Sequence, residues 1–464
     1  MALMVTNTLT RRKEELRPRE ESKISFYVCG PTVYNHIHVG NARAAVVFDV
    51  IRRYLRWRGY DVNFVQNYTD VDDKIIARAT EEGRPAEEVA REYSHAYEVV
   101  MKALNVEPPD LLVKATDHIG DMIKAIGSLI ERGYAYEAGG NVWFAVEEFK
   151  GYGKLSGRSL DDVRAERVEP DPSKRSPLDF ALWKAAKEGE PSWESPWGRG
   201  RPGWHIECST MSEKYLGMGF DIHGGGSDLI FPHHENEIAQ AEAATGEEPF
   251  VRVWLHNGMV NLDEQKMSKS LGNFVLVKDF LKEIRPAALR LMSIAGHYRS
   301  DIDFGEASLR QAEKTLERFE IFAHAAKAAG EVSEEGRKFL QRFTDAMDDD
   351  FNTPTAISVI HDLIKTGNIE LEAAQGGDEA AQGRLEELMA AFCEMTDVLG
   401  LELESGTAAA SEISGKLIDL VLELREAARQ AGRYEESDKV RDRLRDLGIE
   451  IEDTKAGARW RMKS

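Results

Sequence analysis

Three short stretches carry residue types that suit phosphate chemistry and metal binding. The first is Pro31-Thr32-Val33-Tyr34-Asn35-His36-Ile37-His38-Val39-Gly40-Asn41, which lies between a strand-like run and a helix-like run. The free N–H groups and dipole of a helix N-terminus attract phosphate, so a ligand there can take hydrogen bonds from the His38 imidazole and the Asn41 amide while Gly40 lets the backbone come close. The second is Lys266-Met267-Ser268-Lys269-Ser270, two lysines in a Gly/Ser-flanked loop. The third is Phe231-Pro232-His233-His234-Glu235-Asn236-Glu237, which should open a helix and put His233 and Glu237, four apart, on one face.

With Cys29 and Cys208, that pair makes a donor set of two thiolates, one imidazole and one carboxylate, which suits zinc. Spacing alone leaves His234 open as the imidazole, because it stands three residues before Glu237. A metalloprotease motif is excluded, since His234-Glu235 is followed by Ile238 where a second histidine is needed. The chain has only three cysteines, the third being Cys393, which is no disulfide framework.

The elements that must hold these residues follow from periodicity. Ile24 to Cys29 is apolar and β-prone and is stopped by Gly30-Pro31; Ala44, Val47, Ile51 and Leu55 recur at helical spacing, with Gly59 beyond the helix end. Val62, Phe64 and Val65 form a second β-prone run, so residues 24 to 66 predict a βαβ unit and a parallel sheet. Val251 to Leu255 resumes that sheet after residue 200, and the irregular, turn-rich region from about 108 to 200 is expected to be an insertion. From residue 306 the pattern turns helical, with Phe339, Leu340, Phe343 and Met347 on one face and Thr353 as an N-cap before Pro354, predicting a bundle over 306–404. Ser405 to Ala410 is a small-residue linker, and Ile413, Leu417, Leu420, Val421 and Leu424 start a terminal domain at 411–464. The fold class is therefore α/β: a Rossmann-like catalytic domain over 1–305 with an insertion, a helical bundle, and a small terminal domain.

With 464 residues, 42% hydrophobic and 30% charged, the chain predicts a multidomain soluble protein. It has no apolar stretch near membrane length, and its start shows no secretory signal, so a cytoplasmic location is expected. A net charge of −21 argues against nucleic-acid binding over the whole surface. Residues 411–464 are relatively basic: twelve Lys/Arg balance twelve Asp/Glu, with Lys439, Arg441, Arg443 and Arg445 close together on a helix and Arg459-Trp460-Arg461 adding a stacking ring. Such groups suit phosphates and unstacked bases.

A five-residue match to the KMSKS loop arises by chance in a chain this long with a probability on the order of 10⁻⁴. Paired with His38-Val39-Gly40-Asn41, a variant of the HIGH motif, the chain resembles class I aminoacyl-tRNA synthetases. The settings of Cys29 and of Gly203-Trp204-His205-Ile206-Glu207-Cys208-Ser209 are similar to the cysteinyl-tRNA synthetase family. So are Asn67 to Lys74, Asp221-Ile222-His223-Gly224-Gly225-Gly226-Ser227-Asp228 and Asp348 to Pro354, nearly end to end.

That resemblance implies activation of cysteine by ATP and its transfer to the 3′-terminal adenosine of tRNA(Cys), in a monomer that holds one Zn²⁺ and takes Mg²⁺ with ATP. It implies zinc held by Cys29, Cys208, His233 and Glu237 and binding the substrate thiol, which serine's hydroxyl cannot match. His38, Asn41, Lys266 and Lys269 would stabilise the charge that builds during adenylation. Gly40, Gly224, Gly226, Asp228 and Lys269 would contact ATP, Thr69 and Trp204 would line the cysteine pocket, and residues 411–464 would bind the anticodon. Asn41 departs from the histidine common in the class: an amide still donates but carries no charge. Some family members are credited with a pyridoxal phosphate-dependent persulfide activity using a second lysine where this chain has Lys74-Ile75-Ile76-Ala77, and the resemblance leaves that activity open.

Two other functions fit parts of the pattern. A cysteine ligase of thiol biosynthesis shares the catalytic half and zinc site but joins cysteine to an amino sugar; the tail through Trp460 weighs against it. A non-catalytic RNA-binding paralogue should have lost motif residues, and here the KMSKS loop and all four metal candidates are intact.

Overall fold

The computed structural model describes residues 2–166, 171–262, 265–266, 275–325, 332, 334–403, 420–446, 449–454 and 457–462. They form two compact units, Met1–Glu402 and Leu403–Ser464.

The first unit is built on five strands, β1 (Lys23–Val28), β2 (Asp61–Tyr68), β3 (Leu111–Lys114), β4 (Phe220–Gly226) and β5 (Val251–Asn257). All neighbours are parallel, and the order across the sheet is β5-β4-β1-β2-β3. Read from the other edge this is 3-2-1-4-5, the order of a doubly wound nucleotide-binding sheet. Helix α1 (Val39–Trp57) links β1 to β2 as the periodicity predicts, burying Val46, Val47, Val50, Ile51, Tyr54 and Leu55, and Gly59 follows it at φ +90°. Helices α2 (Asp73–Glu82) and α3 (Ala86–Ala103) then lead to β3.

The chain between β3 and β4 differs from the expected insertion at its start. Leu111 pairs with Val65, so β3 is part of the parallel sheet; at four residues it is too short to show a pattern in the sequence. After α4 (Ile119–Glu131), strands Ala135–Ala138, Asn141–Phe144, Phe180–Ala185 and Gly200–Pro202 form a separate antiparallel sheet, which takes in part of the turn-rich stretch. Helix α5 (Trp204–Leu216) returns to β4, and α6 (Glu235–Thr245) connects β4 to β5. One core joins the two sheets, with Tyr27, Val65, Val113, Phe144, Trp183, Ile206, Phe220 and Trp254 all buried in it.

Beyond α7 (Pro286–Ala295) the unit is helical: α8 (Glu306–Ala323), α9 (Glu334–Asp348), α10 (Thr353–Gln375) and α11 (Glu379–Val398). Phe343 and Met347 are buried on the expected face of α9. The N-cap of α10 is Asn352 rather than Thr353: its side chain accepts from the Thr355 N–H at 3.1 Å. Thr353, released from capping, donates its hydroxyl to Ile294 O at 2.7 Å and ties α10 to α7.

In the second unit, a helix over residues 420–430 and α12 (Tyr434–Asp446) accompany an antiparallel hairpin of Ile449–Thr454 and Gly457–Met462. Leu422, Leu444 and Ile449 form its small core. Lys439, Arg441 and Arg443 are exposed on α12. The expected linker at Ser405 to Ala410, with Ile413 and Leu417, lies outside the described residues, and so do the side chains of Arg445, Arg459, Trp460 and Arg461. No described helix is long and apolar enough to cross a membrane.

Candidate active site and metal centre

In a doubly wound sheet the ligand crevice opens beyond the carboxyl ends of the strands where the winding reverses, here β1 and β4. Cys29 follows β1 directly, and its N–H reaches Gly224 O on β4 at 3.4 Å. Gly30 has no room for a side chain, since a Cβ there would sit 1.5 Å from Asn67 O. The Asn67 side chain accepts the Gly30 N–H at 2.9 Å and holds the turn.

Cys208 comes from α5, and His233 and Glu237 come from a wide turn over Ile230–His234 and the first turn of α6. These four side chains converge, one ligand atom from each lying within 4.8 Å of all the others. The Cys29 and Cys208 sulfurs are 3.5 Å apart, Cys29 Sγ is 3.5 Å from Glu237 Oε1, and His233 Nε2 is 3.0 Å from the same oxygen. Zinc–sulfur bonds of about 2.3 Å in a tetrahedron imply a sulfur–sulfur edge near 3.8 Å, so the donor set fits zinc in type and in size. A second grouping, Cys29, His223, His234 and Glu237, is also close. In it His234 Nε2 stands 3.5 Å from Cys29 Sγ and 3.9 Å from Glu237 Oε1, while its Nδ1 is 2.8 Å from His256 Nε2. The first set alone contains both sulfurs, and its His233 stands closer to Glu237 Oε1 than His234 does.

The electrostatics of the pocket favour a cation. Burial pushes the Cys29 thiol well up, with Cys208 and Glu237 adding to the shift. The Cys208 thiol is lowered to about 6, first by its hydrogen bond with Cys29 and against the pull of burial. Burial opposes charge on His233, but Glu237 and Cys208 overcome it and raise the imidazole to about 10. Burial likewise opposes charge on Glu237, and His223 and His233 outweigh it to hold the carboxyl well below its ordinary range. Two thiols and a carboxylate buried side by side are a donor set whose negative charge a bound metal ion would offset.

Trp204 stacks on His233 with ring centroids 4.1 Å apart, and the His205 and His233 Nδ1 atoms are 2.9 Å apart. One cavity of about 310 Å³ is lined by Cys29, His38, Gly40, Asn41, Trp204, Cys208, Gly226, Asp228 and His233, among others. Three of the metal candidates, the loop before α1 and the Gly/Asp turn therefore share one cleft, with Glu237 buried behind it. At the α1 end of the cleft, His38 precedes the helix, and Asn41 Oδ1 accepts the His38 N–H at 3.3 Å, leaving the Asn41 NH₂ as the free donor. Burial lowers the His38 pKa against the pull of Asp228, so its imidazole is neutral at pH 7.

Two expected contact residues face elsewhere. Thr69 is buried and donates its hydroxyl to Glu207 at 2.8 Å, while its backbone accepts the Val33 N–H; it braces the loop from behind. Gly224 is absent from the cavity wall and serves packing, since a Cβ there would meet Phe48 of α1 at 2.6 Å. The backbone of Lys266 lies in the two-residue strand Gln265–Lys266, but its side chain and the whole of Lys269 lie outside the described residues. Sequence reasoning missed His205, His223 and His256, which ring the metal candidates; each stands in or just after a strand end or motif, and that position was the available signal.

A family profile described as "tRNA synthetases class I (C) catalytic domain" matches residues 15–314, and one described as "DALR domain" matches 342–404. The chain is 49% identical over 484 residues to the cysteine–tRNA ligase of Desulfitobacterium hafniense, spanning 100% of both chains. It is 50% identical over 481 residues to that of Pelotomaculum thermopropionicum, covering 98% of this chain and 99% of the relative. Among solved structures, Mycobacterium tuberculosis methionyl-tRNA synthetase in complex with methionyl-adenylate aligns with a TM-score of 0.58 at 16% identity, over 86% of this chain and 94% of that one, a likeness of fold.

Proposed function

The chain belongs to the cysteine–tRNA ligase family of class I aminoacyl-tRNA synthetases, and on that premise we propose that it selects cysteine at a zinc site, activates it with ATP to cysteinyl-adenylate, and transfers it to the 3′-terminal adenosine of tRNA(Cys). The observation that carries the proposal is that Cys29, Cys208 and His233, which meet the buried Glu237, line the same cleft as His38, Gly40 and Asn41.

Each group has a task that follows from its place. The N-terminus of α1 receives the phosphates of Mg²⁺–ATP, with neutral His38 and the Asn41 amide as donors and Gly40 allowing close approach. Gly226 and Asp228 meet the ribose, the carboxylate accepting from its hydroxyls. Lys266 and Lys269 offset the charge that grows as the cysteine carboxylate displaces pyrophosphate. The amino acid provides the attacking oxygen, so positioning and electrostatics do most of the catalysis and no protein nucleophile is required. Zinc at the four-residue site supplies a soft contact that acidifies a thiol and holds sulfur far better than a hydroxyl, so an editing domain is unnecessary. Trp204, stacked on His233, closes the pocket beside it.

The second unit reads the anticodon through Lys439, Arg441 and Arg443 on α12 and through its terminal hairpin, and the enzyme works as a cytoplasmic monomer. Ligation of cysteine to an amino sugar is the competing reaction. Identity that runs the full length of relatives named for tRNA charging supports the tRNA substrate. Three assays on the same preparation decide: cysteine-dependent ATP–pyrophosphate exchange, charging of tRNA(Cys), and ligation to an amino sugar. Exchange with charging is the expected pattern; exchange with amino-sugar ligation and no charging would overturn it.

A further inference from the structure

Arg43 stands on α1 two residues past Asn41 and is buried, yet it forms no ion pair among the described residues. Its guanidinium instead donates to main-chain carbonyls of two separate loops. Nη1 reaches Gly258 O at 2.7 Å and Met259 O at 2.8 Å. Nη2 reaches Ser300 O at 2.6 Å, with Tyr298 O at 3.3 Å and His297 O at 3.4 Å. Burial lowers its pKa to about 10, so the group stays protonated at neutral pH.

Those loops are the roots of one small sheet. Val260–Leu262 pairs in parallel with Ile302–Asp303 and antiparallel with Gln265–Lys266, the strand that runs in sequence into Met267 to Ser270. The roots are packed without slack: the Gly258 N–H donates to Tyr298 O at 2.8 Å, and a Cβ on Gly258 would stand 2.3 Å from Ser300 O. From the far side Asp350 grips the same loop, accepting from Tyr298 OH at 2.9 Å and Arg299 Nε at 2.8 Å. Asp350 adopts φ +65° and also accepts the Thr6 N–H at 2.8 Å and the Thr6 hydroxyl at 2.7 Å. A non-glycine residue in the left-handed region persists only where its surroundings over-determine it, and here four bonds do so.

We infer that Arg43 is a positioning residue for adenylation, clamping the small sheet that leads into the KMSKS loop against the phosphate-binding end of α1, with Asp350 anchoring the opposite side of the clamp. This rests on the proposed function above. The planar fork is what the task needs: two nitrogens at fixed spacing span two loops, whereas an ammonium group is a single point donor. Cysteine binding is independent of it, because the metal candidates come from the end of β1, α5, the turn over Ile230–His234 and α6.

The test uses full-length metal-loaded protein carrying Arg43→Lys, Arg43→Met or Asp350→Asn, with cysteine-dependent pyrophosphate exchange, thermal melting, and cysteine binding read by cobalt absorption. A misplacement of about 1 Å at a reacting centre costs on the order of 10²-fold. Arg43→Met should therefore lose about that much in kcat, Arg43→Lys should recover part of it, and KM for cysteine and the cobalt signal should stay at parent values. Arg43→Lys combined with Asp350→Asn should lose less than the product of the two single losses, because both act on one loop. A kcat within about twofold of the parent in folded Arg43 variants would overturn the inference, and so would a fall in kcat matched by an equal loss of cysteine binding. Should Arg43→Met fail to fold, the Arg43→Lys and Asp350→Asn pair carries the same comparison. Absence of exchange in the parent protein would instead sink the proposed function, so the two failures are distinct.

Discussion

His223 and Glu237 face each other in the buried floor of the site, Nε2 to Oε2 at 2.9 Å, and this contact leaves Glu237 Oε1 turned toward Cys29 and His233. One oxygen is held so that the other can serve. His223 is itself fixed by stacking on Trp254, with ring centroids 4.4 Å apart. Removing such a partner typically costs 10 to 100-fold in metal affinity, roughly the range expected for His223→Asn. Competition with a chelator measures it. Unaltered zinc affinity in the folded variant would show that Glu237 needs no such support.

Lys269→Ala should depress cysteine-dependent pyrophosphate exchange mainly through kcat, by roughly 10² to 10³-fold, the loss expected when a charged donor to a developing charge is removed. A variant with normal kcat and raised KM would mean that Lys269 binds ATP without stabilising the transition state.

Much of this site can be read from residue types, and the reasons for the misses are physical. Cysteines beside a strand end and in a helix, and a His/Glu pair four apart, stand out because such groups are seldom buried together. The helix α1 announced itself through its apolar stripe and Gly59. By contrast, β3 has four residues and no room to show a period. His205, His223 and His256 are single histidines, whose role depends on the register between β4 and β5 and on where α5 docks. Thr69 and Gly224 carry motif positions, yet the fold turns the Thr69 hydroxyl toward Glu207 and spends Gly224 on close packing with Phe48. Asn352 displaced Thr353 as cap because the Thr353 hydroxyl found Ile294 O.

Asp49 on α1 gathers three arginines: Arg52 Nη2 at 2.7 Å and Arg53 Nε at 2.8 Å on its own helix, and Arg290 Nη2 at 2.6 Å on α7, which joins the two helices. Burial alone would raise its carboxyl, but Arg290, Arg53 and Arg52 overcome it and hold the folded pKa below the ordinary 3.8. A depressed folded pKa means that the unfolded chain takes up the proton first as pH falls. Its stabilising contribution is therefore complete above the unfolded value and fades only as pH drops from there through the folded pKa. Asp49→Asn should destabilise at pH 7 by about 3–5 kcal/mol, as for a buried pair broken on one side, and should flatten this acid limb. Urea unfolding at pH 7 and across the acid range reads both effects; a loss under about 1 kcal/mol would mean that the arginines are satisfied by their carbonyl partners and Glu107.

Truncation after Glu402 removes the second unit and leaves Met1–Glu402 entire. Cysteine adenylation should stay near normal, and charging of tRNA(Cys) should fall sharply through KM for tRNA. Equal loss of both activities in a folded truncated protein would refute the division of labour between the units.

The most direct test of the account asks whether the metal at Cys29, Cys208, His233 and Glu237 meets the substrate. A purely structural zinc is satisfied by four protein ligands, whereas a selector must accept another donor or loosen a bond, and Glu237 is the hardest ligand and the one to yield. With Co²⁺ in place of Zn²⁺, sulfur-to-cobalt charge-transfer absorption reports each thiolate in contact with the metal. Adding cysteine should raise that absorption and adding serine should leave it unchanged. A spectrum indifferent to cysteine in an enzyme that still activates it would make the metal structural and move the source of specificity to Trp204 and its neighbours.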